Sequence, residues 1–113
     1  MAFRPKYKNT KIKAEGHVFD SKKEYKRFLE LKQQELDGEI RQLTLQDTFE
    51  LIPSQRGSDG KVIERAVKYK ADFTYINAAG DLVVEDTKGY KTPEYIIKRK
   101  LMLYIHGIRI NEL

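Results

Sequence analysis

The apolar positions of the chain follow two rhythms. Between Ser21 and Gly38, Tyr25, Phe28, Leu29, Leu31 and Leu36 gather on one side of a wheel turning about 100 degrees per residue, which predicts an amphipathic helix ending near Leu36 or Asp37. Ser21-Lys22-Lys23-Glu24 has capping-box spacing, Phe19 and Tyr25 are placed as a hydrophobic staple, and Gly38 supplies the stop. Glu24 projects between Leu31 and Phe28, inside the apolar arc, and so do Lys32 and Glu35. Upstream, KIKAEGHVFD reads as irregular or briefly extended.

From Ile40 the rhythm shortens to that of strands. RQLTLQ and TFELIP are short β-like runs, Gly57-Ser58-Asp59-Gly60 is a turn, and KVIERAVKYKADFTYI follows. In that last run Val67, Tyr69, Ala71, Phe73 and Tyr75 alternate with Lys68, Lys70, Asp72 and Thr74, the clearest strand in the chain, with one apolar and one polar face. A loop over Asn77-Ala78-Ala79-Gly80-Asp81 turns it into LVVEDTK. Thr92-Pro93-Glu94 then predicts an N-cap and first-turn proline, opening a helix from about Pro93 to Ile105 that Gly107 ends, and IRINE is a last short strand. The order is helix, three or four antiparallel strands, helix, strand: a single α/β domain.

Composition narrows the class. At 113 residues the chain has room for one domain, and 40% apolar residues suffice for a modest core. No apolar run approaches the ~20 residues of a membrane span, and no apolar segment follows the basic N-terminus as a secretory signal requires. Cysteine is absent, which excludes a disulfide scaffold, a thiol nucleophile and a zinc ribbon, and a cytoplasmic location is expected.

The net charge of +5 is carried by the first 13 residues, where Arg4, Lys6, Lys8, Lys11 and Lys13 meet no acid; the rest of the chain balances. Residues 1–13 read as a flexible basic arm that, with Phe3 and Tyr7 interleaved, can neutralise and stack on a polyanion, or simply be solvated. A second basic cluster, Lys88, Lys91, Lys98, Arg99, Lys100 and Arg109, is opposed within its span by Glu94. Nucleic acid is therefore the first partner to consider, with Lys98 and Arg99 as phosphate contacts.

The chemistry concentrates on the second hairpin. If it is centred near Ala79, Asp72 and Asp86 stand directly across from each other, with Cβ atoms roughly 5 Å apart. At an effective dielectric of 20 their repulsion is about 3 kcal/mol, which a divalent cation or one protonated carboxyl would remove. Lys88 shares a strand face with Asp86 and can place an ammonium beside such an ion, whereas Glu85 points to the opposite face and is excluded. The bland alternatives are a capping role for Glu24, an exposed strand position for Asp72 flanked by Lys68 and Lys70, and a solvated strand end for Asp86 and Lys88.

Asp72, then Asp86-Thr87-Lys88, with Glu24 on the preceding helix, resembles the PD-(D/E)XK nuclease superfamily. GHVFDSKKEYKRFLEL, LTLQDTFELIP, KYKADFTYI, VVEDTKGYKTPEY and KRKLMLY look like a set of small phage and prophage proteins, labelled a domain of unknown function, that is placed in it. The resemblance covers roughly residues 12 to 112; Ala71 stands where the superfamily name has proline, a position that is not a ligand.

The resemblance implies a restriction-endonuclease-like α-β-β-β-α-β core over residues 14–113, a mixed sheet flanked by helices. It implies Mg²⁺, with Mn²⁺ able to substitute, held by Asp72, Asp86, the Thr87 carbonyl and Glu24. Lys88 would assist the attacking water. Gln46 and His17 are second-tier candidates, Gln46 reaching the site from the neighbouring strand. The implied activity is endonucleolytic hydrolysis of DNA, branched rather than linear by family analogy. A Holliday-junction-resolvase-like enzyme of phage recombination or replication, working in a bacterial host's cytoplasm, would act as a homodimer. The rival readings are a non-catalytic nucleic-acid-binding protein and a nuclease subunit of a transposase or restriction complex.

Overall fold

The computed structural model describes residues 11–87 and 89–113. Within them the chain opens with a small hairpin, β1 (Ile12–Ala14) and β2 (His17–Phe19), paired in antiparallel register with Ala14 opposite His17. Glu15 and Gly16 both take positive φ, 53° and 79°, the backbone of a two-residue turn whose twist matches its strands. Lys13, assigned to the arm from sequence, is thus part of β1.

Helix α1 (Lys22–Leu36) starts where its capping signals put it. The Ser21 hydroxyl accepts the Glu24 amide at 3.1 Å, and the Phe19 and Tyr25 rings meet with centroids 5.2 Å apart, so cap and staple both form. Gly38, at φ 78°, closes its far end.

The next strands are β3 (Arg41–Leu45), β4 (Thr48–Ile52), β5 (Gln55–Arg56), β6 (Val62–Glu64), β7 (Val67–Lys70), β8 (Phe73–Ile76) and β9 (Leu82–Asp86). Helix α2 (Pro93–His106) follows, capped by Thr92 and ended by Gly107 at φ 67°, and the last strand is β10 (Asn111–Glu112). Strands β10, β9, β8 and β3 lie side by side in that order, with β10 parallel to β9 and the other pairs antiparallel. The fold is therefore α/β, a mixed sheet flanked by two helices.

Sequence alternation predicts the 67–76 region as one strand; the structure divides it into β7 and β8. Pairing with β3 and β4 runs through the division, because Gln46 N–H donates to the Asp72 carbonyl at 3.1 Å and Ala71 N–H to the Asp47 carbonyl at 2.8 Å. Gln46 takes a left-handed φ of 58° there, a costly conformation for a residue with a Cβ and the local means of turning the ladder. The turn has a packing consequence. Tyr69 and Ala71 join a core with Leu51, Val84, Tyr95 and Met102 under α2, while Phe73 and Tyr75, of the same parity, join Phe19, Phe28, Leu31 and Ile40 under α1. A straight two-residue period cannot express this handover from one core to the other.

Candidate active site

The hairpin register settles where the acids lie. Ile76 pairs with Leu82 and Phe73 with Glu85, so the β8–β9 hairpin is centred on Ala79 and Asp72 lies one residue beyond the last pair, beside Asp86. The contact is direct: Asp72 Oδ2 accepts from the Thr87 amide at 2.8 Å and from the Thr87 hydroxyl at 2.7 Å. These two donors hold the half-buried Asp72 carboxylate against the end of β9.

Asp86 and Glu85, adjacent on β9, are both fully buried but face opposite helices. Glu85 receives Arg27 Nε and Nη2 at 2.8 and 2.7 Å and the Tyr75 hydroxyl, a bidentate ion pair that ties α1 to the sheet. That hydrogen bond raises the Arg27 pKa further, against the opposing cost of its burial. Burial and the bond to Glu85 push the Tyr75 phenol up to about 12. The exclusion of Glu85 by strand alternation is consistent with this placement. Asp86 Oδ2 instead accepts the Tyr69 hydroxyl at 2.5 Å on the α2 side. Burial first, and then that bond, drives the Tyr69 phenol far above its ordinary value; the charges of both Asp86 and Asp72 add to the effect. Tyr69 therefore senses both acids.

Glu24 is only 3% exposed, unlike Lys32 and Glu35, which share its arc but lie nearer solvent. Its amide completes the cap with Ser21, while its carboxylate accepts from the Asp20 amide at 3.0 Å and reaches Gln46 Nε2 at 3.5 Å. Because Gln46 also holds the Asp72 carbonyl through its own amide, hydrogen bonds run from Glu24 through Gln46 and Asp72 to Thr87. The N-terminus of α1, the β3–β4 bend, the β7–β8 bend and the end of β9 thus meet at one end of the sheet. Spacing in the sequence placed Asp72 across from Asp86; Thr87 as a ligand was implied by the resemblance, and Gln46 was a second-tier candidate.

The other sequence candidates among the described residues are not joined to that hydrogen-bonded line. His17 belongs to β2 and is exposed, its ring against Phe28 and Phe19 at 5.8 and 6.1 Å, and it lines a depression that Gln46 also lines. Lys98 pairs with Glu94 at 3.1 Å, and Arg99 reaches Glu112 at 3.3 Å. Despite an opposing burial cost, hydrogen bonds from Tyr95 and Arg99 hold the Glu112 carboxyl below its usual range. Lys11 and Lys13 are exposed at the start of the described chain, whereas Arg4, Lys6, Lys8 and Lys88 lie outside the described residues. Tyr69 and Arg27 were missed: Tyr69 was read only as a member of the apolar strand face, and nothing local ties Arg27 to an acid 58 residues away.

The donors at the sheet end are all hard oxygens, and each carboxylate has an oxygen held by a protein donor, as ligating carboxylates do. Among the described residues no three His, Asp or Glu side chains group as a metal cage. Mg²⁺ does not need one, since it binds through one or two carboxylates and keeps several waters. The residues present fit that ion.

Fold and site together define a small α/β domain with buried acids at one end of its sheet. Over residues 4–109 the chain matches the family described as "Protein of unknown function (DUF1064)", and it belongs to that family. No curated protein and no solved structure matches it. Among the described residues no helix is long and apolar enough to cross a membrane.

Proposed function

We propose that this chain is a Mg²⁺-dependent endonuclease of PD-(D/E)XK type that hydrolyses phosphodiester bonds of DNA. The observation that carries the reading is the hydrogen-bonded line Glu24–Gln46–Asp72–Thr87, which brings two acids distant in sequence to the strand end that bears Asp86. Asp72 and Asp86, with the Thr87 carbonyl, would hold the ion, and Glu24 would complete the acidic set directly or through water. When bound, magnesium supplies a Lewis acid for the phosphate and a more acidic water.

The chain's own residues do the positioning. Thr87 fixes Asp72, Tyr69 fixes Asp86, and the Asp20 amide with Gln46 fixes Glu24, so the carboxylates need little reorganisation on binding. Lys88, two residues beyond Asp86 in sequence, is the residue assigned to orient the attacking water and balance charge on the phosphate. The substrate is a junction or other branched DNA, cut by a symmetric dimer. Ile97 and Tyr104, 59% and 86% exposed on α2, are apolar surface for that contact, and sedimentation as a monomer at micromolar concentration contradicts the dimer.

Supercoiled plasmid and a synthetic four-way junction, incubated with the protein in Mg²⁺ or EDTA, test the activity. Cleavage is expected in Mg²⁺ alone. It should fall by about three orders of magnitude or more in Asp86→Asn and Lys88→Ala, the scale of several kcal/mol of lost transition-state stabilisation. Binding without cleavage of either substrate would leave a non-catalytic nucleic-acid-binding protein.

A further inference from the structure

A depression of about 270 Å³ opens between α1 and the end of β9, lined by Lys23, Lys26, Arg27, Glu30, Thr87 and Leu113. Thr87 is shared: it lines this space and holds Asp72 through its amide and hydroxyl. The depression therefore begins where the acid site ends. Its charge is not the simple sum of its residues. Arg27 is already committed to Glu85 and to Glu30, at 2.7 and 3.0 Å. Lys23 donates to the main-chain oxygen of Leu113 at 2.6 Å, and Lys26 makes no hydrogen bond or ion pair with a described residue. Lys26 is thus an ammonium without an acidic partner among the described residues, with Lys23 beside it in the first turns of a 15-residue helix.

The space is smaller than the ~300–1,000 Å³ of pockets that enclose a drug-sized ligand, and it is open. That suits a grip on one group of a long polymer. The second basic cluster is a poorer choice, because on α2 Lys98 and Arg99 are partnered by Glu94 and Glu112, and Lys91 just before the helix by Glu112 at 3.7 Å, which leaves Lys100 as the α2 lysine without an acidic partner among the described residues.

We propose that Lys23 and Lys26 bind a backbone phosphate of the DNA strand adjacent to the one being cleaved, so that the strand runs over the first turns of α1 and not along α2. This rests on the nuclease reading above and adds the strand's path to it. The test is duplex and junction binding by fluorescence anisotropy over a salt series with Ca²⁺ in place of Mg²⁺, beside Mg²⁺-dependent cleavage by the unmodified protein. Circular dichroism confirms folding of each variant. Lys26→Ala, which leaves the Lys23–Leu113 contact intact, should lower the slope of log affinity against log salt by about 0.9, and Lys23→Ala/Lys26→Ala by about twice that, with a loss of roughly tenfold or more in affinity at low salt. Lys26→Arg should restore the slope.

An unchanged slope in the double variant, with Lys100→Ala lowering it instead and EDTA-sensitive cleavage intact in the unmodified protein, overturns the path and leaves the nuclease reading standing. Failure of the unmodified protein to bind or cut any DNA overturns both.

Discussion

The two faces of β9 present neighbouring acids with opposite fates. On the α1 face Glu85 is matched by a guanidinium in bidentate geometry and by a phenol, so its charge is balanced inside the fold. On the α2 face Asp86, equally buried, accepts the hydroxyl of Tyr69 and lies beside Asp72 and Thr87 at the sheet end. Burial alone therefore does not mark a functional acid. What separates the two is their partners: Glu85 is spent on tying α1 to the sheet through a guanidinium, whereas Asp86 accepts from a phenol and is the acid proposed to serve a cation.

The sharpest way to break this contrast is to compare what each acid's removal costs. Asp86→Asn keeps an acceptor for Tyr69 and should change stability by about 1 kcal/mol or less while removing cleavage, a loss of activity far larger than any loss of fold. Arg27→Ala does the reverse: it strands Glu85 in the core and should cost about 3–5 kcal/mol in denaturant unfolding. If Asp86→Asn proves as destabilising as Arg27→Ala, the two acids are alike and the contrast fails.

Tyr69→Phe comes next in size. Losing the phenol that orients Asp86 should cost about 1–3 kcal/mol and raise the Mg²⁺ concentration needed for half-maximal cleavage. An unchanged Mg²⁺ requirement would make Tyr69 a core residue only.

The smallest effect is in alkali. The folded protein raises the Tyr75 phenol to about 12, above the ~10 of an unfolded chain, so its protonated form is the one the fold favours. The stability this contributes is complete below pH ~10 and is lost as pH rises through about 12. The stability deficit of Tyr75→Phe relative to the parent should thus be constant up to pH ~10 and shrink above it. A deficit that stays constant across that interval contradicts the coupling to Glu85.

How much of this was legible in the sequence follows the range of the interactions involved. Both helices were, because their caps, staple and stops act within a few residues: Ser21 with Glu24, Thr92 with Tyr95, Gly107 with Leu103. So was the β8–β9 register, since the turn around Ala79 fixes it and with it the placing of Asp72 and Asp86 on one side. The bend at Ala71-Asp72 was not, because it depends on Gln46 adopting a left-handed backbone in a different strand, and residue alternation continues through it undisturbed. Glu24 was visible as a cap, but its aim toward Gln46 depends on tertiary packing. The neutralisation of Arg99 and Lys91 by Glu112 was hidden because that acid arrives on β10, which joins β9 only through a parallel crossover.

The most direct test of the central claim is calorimetric titration of Mn²⁺ into the protein together with a non-cleavable oligonucleotide duplex. Saturable uptake that disappears in Asp72→Asn and Asp86→Asn, with both variants still folded by circular dichroism, is the expected result. Absence of uptake by the unmodified protein, or uptake undiminished in both variants, would contradict the assignment of a cation to the end of this sheet.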